Sequence, residues 1–314
     1  MALAAIIILC IILVLLLALL FASFYFFRVA IVRQPKGFLS ASPDLPLDQY
    51  GVLIERNMVW FDQQPFEKLE MASHDGLLLR GYYLAAKAPT PKTAILAHGY
   101  MGNARKDMAG VAKLYHEIFG YNVLMPDDRG HGESEGRYIG FGWLDRLDYV
   151  KWIYFVLNKV GQEAQIVLHG ISMGGATVLM TSGEELPEQV RCVISDCAYT
   201  SVKDILTHQA RQLYKLPTFP LLSIISLICK LRAGYFFGEA STLAQVKKAH
   251  LPTLFIHGGE DLFVPTTMLN PLYEASTAPK EKFIVPTAGH GLAYAVDVAG
   301  YRQQVRDFLQ KFMQ

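Results

Sequence analysis

Apolar residues follow two different patterns along this chain. From Ala2 to Phe27 no side chain is charged, and the segment lacks the polar face of a soluble amphipathic helix. Its length exceeds the roughly 20 apolar residues that cross a bilayer core as a helix. Beyond residue 60, short apolar runs alternate with longer segments of helical spacing, with glycine turns between them. This alternation predicts an α/β protein with a mostly parallel, eight-stranded sheet and helices on both faces.

Individual strands and helices can be placed from the same pattern. The predicted strands are Phe66–Met71, Leu77–Leu84, Thr93–Ala97, Asn122–Met125, Gln165–His169, Val190–Ser195, Leu254–Ile256 and Lys282–Val285. The predicted helices are Lys106–Phe119, Trp143–Val160, Gly174–Ser182 and Tyr301–Met313.

Residues 199–250 are too long for an ordinary connection, so they predict a helical cap inserted after strand 6. Its apolar run Phe219–Leu231 is too short to span a bilayer; a buried helix is the favoured interpretation, and a membrane-surface contact is the alternative.

The apolar N-terminal segment admits two interpretations, a retained anchor or a cleaved signal peptide. A signal peptide begins with basic residues, has an apolar core of about 7–15 residues and ends at a small-residue cleavage site. Here no Lys or Arg precedes the core, and Leu20-Phe21-Ala22 is a poor cleavage site. The sequence therefore favours a single-pass membrane anchor over residues 1–27, a connector over 28–60 and a folded domain over 61–314. Basic residues after the span favour a cytoplasmic domain, but the charge difference is small and leaves the side open.

Charge and cysteine content exclude other classes of protein. The 29 Lys and Arg residues are balanced by 28 Asp and Glu residues, so no net field would attract nucleic acid. The four cysteines have neither the spacing of a zinc site nor that of a disulfide framework. They are interpreted as free thiols.

A candidate nucleophile lies between a predicted strand and a predicted helix. The motif Gly170-Ile171-Ser172-Met173-Gly174 directly follows the strand Gln165–His169. In a nucleophile elbow, a sharp strand-to-helix turn exposes the serine hydroxyl, and the flanking glycines avoid clashes that a Cβ atom would cause. A chance match to this short motif is common, but the strand–turn–helix context favours a catalytic serine over a structural one.

A serine hydroxyl needs a base to take its proton and a carboxylate to orient that base. Of the nine histidines, His290 alone follows both the serine and a plausible acid in a loop after the last strand. Asp261 follows the strand Leu254–Ile256 and fits the order serine, acid, histidine. Asp196, at the end of the strand Val190–Ser195, is a competing acid, and Glu260 is a weaker one.

Acyl transfer also needs backbone N–H donors for the developing oxyanion. The residue after the nucleophile, Met173, can supply one donor. The turn His98-Gly99-Tyr100-Met101-Gly102 follows the third strand and can supply the second from Tyr100. An ordinary glycine turn is the alternative, but the place of this turn in the chain favours an oxyanion hole.

Taken together, these motifs resemble the α/β-hydrolase superfamily, and within it the bacterial membrane-anchored serine hydrolases of the Bem46-like and serine aminopeptidase-like groups. The resemblance covers about residues 66–314 and rests on His98-Gly99, Arg129-Gly130-His131-Gly132-Glu133-Ser134, Gly170-x-Ser172-x-Gly174, His257-Gly258-x-x-Asp261 and Gly289-His290. It implies the triad Ser172, Asp261 and His290, with Tyr100 and Met173 as the oxyanion hole. It implies neither a metal nor an organic cofactor, and it gives residues 127–132 a structural role.

Three functions are compatible with this reading. The favoured one is hydrolysis of a carboxylic ester or thioester through an acyl-enzyme, because the apolar cap and the anchor suit an acyl-bearing or lipid-like substrate. Peptide or amide hydrolysis uses the same triad, but the cap has no acidic cluster to bind a free amino terminus. A non-catalytic binding module on this fold is the third possibility, and it would not need an aligned serine, acid and histidine.

Overall fold

The computed structural model describes residues 1–35 and 50–314, and residues 36–49 of the predicted connector lie outside this part. The strands are β1 Glu67–Ala72, β2 Leu78–Leu84, β3 Lys92–Ala97, β4 Asn122–Pro126, β5 Gln165–Ile171, β6 Val190–Asp196, β7 Thr253–Gly258 and β8 Lys280–Val285. The helices are α1 Ala2–Ile31, α2 Gly51–Asp62, α3 Ala104–Lys113, α4 Asp145–Val160, α5 Met173–Thr181, α6 Val202–Tyr214, α7 Leu221–Ala233, α8 Thr242–Val246, α9 Leu269–Ala275, α10 Ala293–Val296 and α11 Val298–Phe312. A π-helical turn, Leu114–Phe119, continues α3.

All eight strands form one sheet in the order β1-β2-β4-β3-β5-β6-β7-β8. β1 and β2 form the predicted hairpin, β2 is antiparallel to β4, and every pairing from β4 to β8 is parallel. This confirms the predicted fold class. Parallel strands covered on both faces are buried throughout, which explains the continuous apolar runs of β5 and β7.

Two hydrophobic cores lie on the two faces of the sheet. One contains residues of α4, α5 and the cap helices, with Trp152 and Tyr235 among its largest buried side chains. The other contains residues of α2, α3 and α11. In α11 the buried residues Tyr301, Val305 and Phe308 recur at helical spacing, which is the pattern of an amphipathic helix on a sheet.

The cap between β6 and β7 consists of the three helices α6, α7 and α8. Its central helix, α7, buries Leu221, Ile225 and Ile228 and leaves Leu227 and Leu231 exposed. The predicted burial of this apolar run therefore describes one face of α7, and the other face exposes two leucines together with Ser223 and Arg232.

The N-terminal helix α1 is the one described helix that is long and apolar enough to cross a membrane, on length and composition. Its last turns belong to the folded domain, because Phe27 and Ile31 are buried in the same core as α4. The backbone after α1 continues this contact, since Val32 bridges to Tyr138 and the Arg33 guanidinium donates to the Ser134 carbonyl at 2.7 Å.

The structure places the segment boundaries differently from the sequence pattern. The predicted anchor ends at residue 27, whereas α1 continues to Ile31 and its end packs against the domain. The predicted connector reaches residue 60, whereas α2 occupies residues 51–62 and buries Trp60 and Phe61 against the core of α3. The end of α1 and most of α2 both fall within the predicted connector. The sequence pattern does not show their burial, because that burial depends on contacts with residues that are distant along the chain.

Candidate active site

Ser172 occupies a sharp turn between β5 and α5. Its backbone has φ 59° and ψ −118°, a conformation that is strained for a residue with a side chain. A Cβ at Gly170 would lie 2.1 Å from the carbonyl oxygen of Gly174, and one at Gly174 would lie 2.0 Å from that of Ala97. The two glycines are therefore required for this turn, as the sequence predicts for a nucleophile elbow.

His290 joins Ser172 and Asp261 in a single hydrogen-bonded chain. Its Nε2 lies 2.8 Å from Ser172 Oγ, and its Nδ1 lies 2.7 Å from Asp261 Oδ2. The other carboxylate oxygen, Oδ1, accepts a hydrogen bond from the Val264 N–H at 2.8 Å. Burial alone would raise the pKa of Asp261, but the charge of His290 and hydrogen bonds from His257 and His290 outweigh it and lower the pKa to about 2. Asp261 is therefore ionised near neutral pH.

The two competing acids lie elsewhere. The carboxylate of Asp196 accepts a hydrogen bond from the Tyr301 hydroxyl at 3.2 Å, and its other oxygen has no hydrogen-bond partner among the described residues. Burial raises the pKa of Asp196 to about 6. The side chain of Glu260 is exposed. The geometry thus brings Asp261, and neither competitor, into hydrogen-bond contact with His290.

The predicted oxyanion donors flank the nucleophile. Met173 is the first residue of α5, so its N–H has no acceptor within the helix. The turn that carries Tyr100 lies against Ser172, since a Cβ at Gly99 would be 3.5 Å from Ser172 Cβ. The neighbouring N–H of Met101 donates to His131 Nε2 at 3.2 Å, which holds this turn in place. Both predicted residues therefore border Ser172, and their role as an oxyanion hole stays a prediction.

Ser172 borders two cavities of different character. The first is walled by apolar and uncharged residues of α1, the cap and the Asp261 loop: Phe26, Val29, Ala30, Tyr100, Phe141, Ser172, Tyr199, Ile205, Leu206, Gln209, Ala210, Leu213, Tyr214, Leu216, Leu221, Leu222, Ile225, Phe263 and Val264. The second cavity is lined by Ser172 and His290 and by more polar side chains, including Asn57 and Lys106. The nucleophile candidate is thus shared by an apolar cavity and a more polar one.

The volume of the apolar cavity limits what it can hold. It measures about 100 Å³, which is room for several water-sized groups, since one such group needs roughly 10–15 Å³ on this measure. That is enough for part of a single acyl chain. The sequence did not reveal the contribution of α1 to this wall, because Phe26 belongs to a uniformly apolar run and Val29 and Ala30 follow Arg28 in the predicted connector.

Comparison with known proteins gives the family. A family model described as the alpha/beta hydrolase fold matches residues 93–220. The protein YqkD of Bacillus subtilis, described as uncharacterized, is 32% identical over 252 residues, which cover 79% of this chain and 81% of that protein. The protein bem46 of Schizosaccharomyces pombe is 26% identical over 250 residues, which cover 78% of this chain and 76% of that protein. The chain belongs to the α/β-hydrolase family, in its Bem46-like branch.

Solved structures agree on the fold of this α/β-hydrolase. An esterase from Pyrococcus furiosus superposes with a TM-score of 0.66 at 22% identity and covers 82% of this chain and 94% of that chain. The esterase Est1E from Butyrivibrio proteoclasticus, solved with ferulic acid bound, has a TM-score of 0.62 at 18% identity and covers 78% of this chain and 99% of that chain. At these identities the likeness shows the fold.

The loop after β4 supports the site of the hydrolase through buried charges. The guanidinium of Arg129 donates two hydrogen bonds to Asp148, at 2.7 and 2.8 Å, and two more to Asp75. The side chains of Asp148, Asp75 and His74 lie close enough together to hold a metal ion. Here the Arg129 guanidinium lies among them and supplies the positive charge. In the same loop, Asp127 accepts hydrogen bonds from the N–H groups of Ala104 and Glu133.

One buried histidine, His169, is held differently from the other buried histidines beside glycines. The glycine-flanked residues His98, His131 and His257 each contact a backbone carbonyl oxygen, as expected for imidazoles at strand ends. His169 instead lies between two tyrosine hydroxyls, 3.1 Å from that of Tyr115 and 3.0 Å from that of Tyr301. Burial lowers the pKa of His169 to about 3, so this histidine is neutral and structural.

Proposed function

We propose that this α/β-hydrolase is a serine hydrolase that cleaves carboxylic esters or thioesters through an acyl-enzyme. The observation that carries the proposal is the continuous hydrogen-bonded chain from Asp261 through His290 to Ser172, with links of 2.7 and 2.8 Å. Such a chain makes a serine nucleophilic, because the imidazole takes its proton as it attacks and the carboxylate stabilises the resulting imidazolium.

The proposed reaction has two balanced halves. In the first, Ser172 Oγ bonds to the acyl carbon, its proton passes to His290 Nε2, and the departing alcohol or thiol takes that proton away. In the second, His290 takes a proton from water, the resulting hydroxide oxygen bonds to the acyl carbon, and Ser172 leaves with the proton restored. The N–H groups of Tyr100 and Met173 bind the negative oxygen of each tetrahedral intermediate.

The apolar cavity supports an acyl-bearing substrate. No charged side chain lines it among the described residues, so an acyl chain would lose its contact with water there. A free amino terminus would lie in the same cavity without a partner for its charge, which is costly. Peptide hydrolysis is therefore the less favoured function of this site.

We further propose that α1 anchors the protein in a membrane. It has 30 residues, which is long enough to cross a bilayer core and still leave its last turns at the domain. Most of its large apolar side chains are exposed in the isolated chain, and burial in lipid would remove them from water.

The test of the proposed function is a panel of substrates given to the full-length protein in detergent. We expect p-nitrophenyl esters to be hydrolysed, with kcat/KM rising by at least about 100-fold from the acetyl to the octanoyl ester, because each buried methylene contributes about 0.8 kcal/mol. Thioesters of the same acyl chains should also react, and aminoacyl anilides should react far more slowly. Preference for the anilides would replace the proposal with peptide hydrolysis, and inertness towards all three classes would favour a binding module.

A further inference from the structure

The end of the apolar N-terminal helix forms part of the wall beside the nucleophile. Phe26, Val29 and Ala30 of α1 line the same cavity as Ser172. The hydroxyl of Tyr100, a predicted oxyanion residue, donates a hydrogen bond to the Ala30 carbonyl at 2.7 Å. Direct contacts therefore connect the helix that is suited to cross a membrane with the candidate active site.

The cap lies along the same stretch of α1. Helix α7 packs against α1, and the rings of Phe26 and Tyr214 meet edge to face with their centroids 4.9 Å apart. On its outer side α7 exposes Leu227 and Leu231, by 50% and 76%. Phe219, just before α7, is 79% exposed. The cap thus exposes three large apolar side chains, and α1, against which α7 packs, is itself apolar and exposed.

The length of α1 indicates where the cap would lie relative to a bilayer. A helix rises 1.5 Å per residue, so roughly the first 20 residues of α1 are enough to cross a bilayer core of about 30 Å. Leu19, Ala22 and Phe26 pack against the core that contains the cap helices. If those first residues of α1 cross the hydrocarbon, the contact between α1 and the core begins near the point where the helix would leave it.

We propose that the last turns of α1 form one wall of the acyl cavity, which opens between α1 and the cap towards the bilayer, so that a single-chain lipid ester reaches Ser172 directly from the membrane. This inference rests on the proposed function and names its substrate class. The acyl chain would stay in apolar surroundings throughout, and a chain longer than the cavity could leave its far end among the lipids. The polar head group would face the second cavity, near Lys106 and Asn57.

The wall of the cavity can be tested in the full-length protein with Val29→Trp. The larger side chain fills space next to Ser172, so we expect the ratio of octanoyl to acetyl ester hydrolysis to fall at least 10-fold. Leu20→Trp is the matched control, since Leu20 lies on the same helix and does not line the cavity. An unchanged ratio in Val29→Trp, or an equal fall in both variants, would contradict the assignment of α1 to the wall.

Access from the bilayer can be tested with the double variant Leu227→Asp/Leu231→Asp. These residues are exposed and do not line the cavity. With the protein reconstituted into phosphatidylcholine vesicles that contain monooleoylglycerol, we expect glycerol ester hydrolysis to fall at least 10-fold while p-nitrophenyl acetate hydrolysis stays unchanged. The matched control is Ile118→Asp, an exposed apolar residue outside the cap, which should leave both activities unchanged.

Failure of this inference can be distinguished from failure of the proposed function. If the cap variant hydrolyses monooleoylglycerol as fast as the unmodified protein, the bilayer route is wrong, while hydrolysis of soluble esters would still support a serine hydrolase. If the unmodified protein hydrolyses soluble esters but not monooleoylglycerol in vesicles, the substrate class is wrong and the function stands. If it hydrolyses neither and does not react with a fluorophosphonate at Ser172, the proposed function itself fails.

Discussion

Ser172→Ala should lower kcat for the octanoyl ester by on the order of 10⁶-fold, the scale seen when a hydrolase of this type loses its nucleophile. The substitution removes only the oxygen that would attack, and alanine can occupy the turn at the same cost in backbone strain as serine. Thermal unfolding monitored by circular dichroism should therefore stay close to that of the unmodified protein. The loss would come from chemistry and not from unfolding.

A serine outside the site provides the control. Ser182 lies directly after α5, and its hydroxyl donates to the Leu179 carbonyl at 2.8 Å, away from His290. Ser182→Ala should keep turnover within a few-fold of the unmodified protein. If Ser172→Ala retained more than about a tenth of the activity, another residue would have to be the nucleophile.

Asp261→Asn should lower turnover by about four orders of magnitude. The carboxylate accepts the Nδ1 proton of His290, which leaves Nε2 free to accept the proton of Ser172. An amide at this position can donate to Nδ1 instead, which favours the tautomer with its proton on Nε2 and prevents it from acting as the base. Single-turnover measurements with the octanoyl ester would show the loss in the acylation step.

Asp196→Asn is the matched comparison. Asp196 is also buried at the end of a parallel strand, but its hydrogen bond comes from Tyr301 and not from His290. An asparagine oxygen can accept the same bond, so we expect turnover to change by less than about tenfold. The reverse ranking of the two variants would move the acid to the end of β6.

The sequence could point to one candidate site because catalytic motifs in a parallel sheet lie at strand ends, and the structure brings Ser172, Asp261 and His290 into one hydrogen-bonded chain. The runs before Ser172, Asp261 and His290 are short and apolar, and each ends in a glycine turn. Once the runs are recognised as strands of one parallel sheet, their carboxyl ends must lie at the same edge of that sheet. The order serine, acid, histidine fits both Asp196 and Asp261, so the hydrogen bond between Asp261 and His290 is what separates the two candidates.

The contacts of α1 and the cap could not be predicted in this way. In a uniformly apolar segment, the buried residue Phe27 looks the same as the exposed Leu20 and Phe21. Which of them pack depends on distant partners such as Tyr100 and α7. The same holds for His169, whose tyrosine partners are 54 and 132 residues away along the chain.

The most direct test of the account is to label the full-length protein with a fluorophosphonate probe and map the modified residue by mass spectrometry. An activated serine attacks the phosphorus and stays covalently bound to it, whereas ordinary serines react very slowly. The account predicts one label per chain on the peptide that carries Ser172, and none on Ser172→Ala. A label on another serine, or no label on a folded protein, would contradict it.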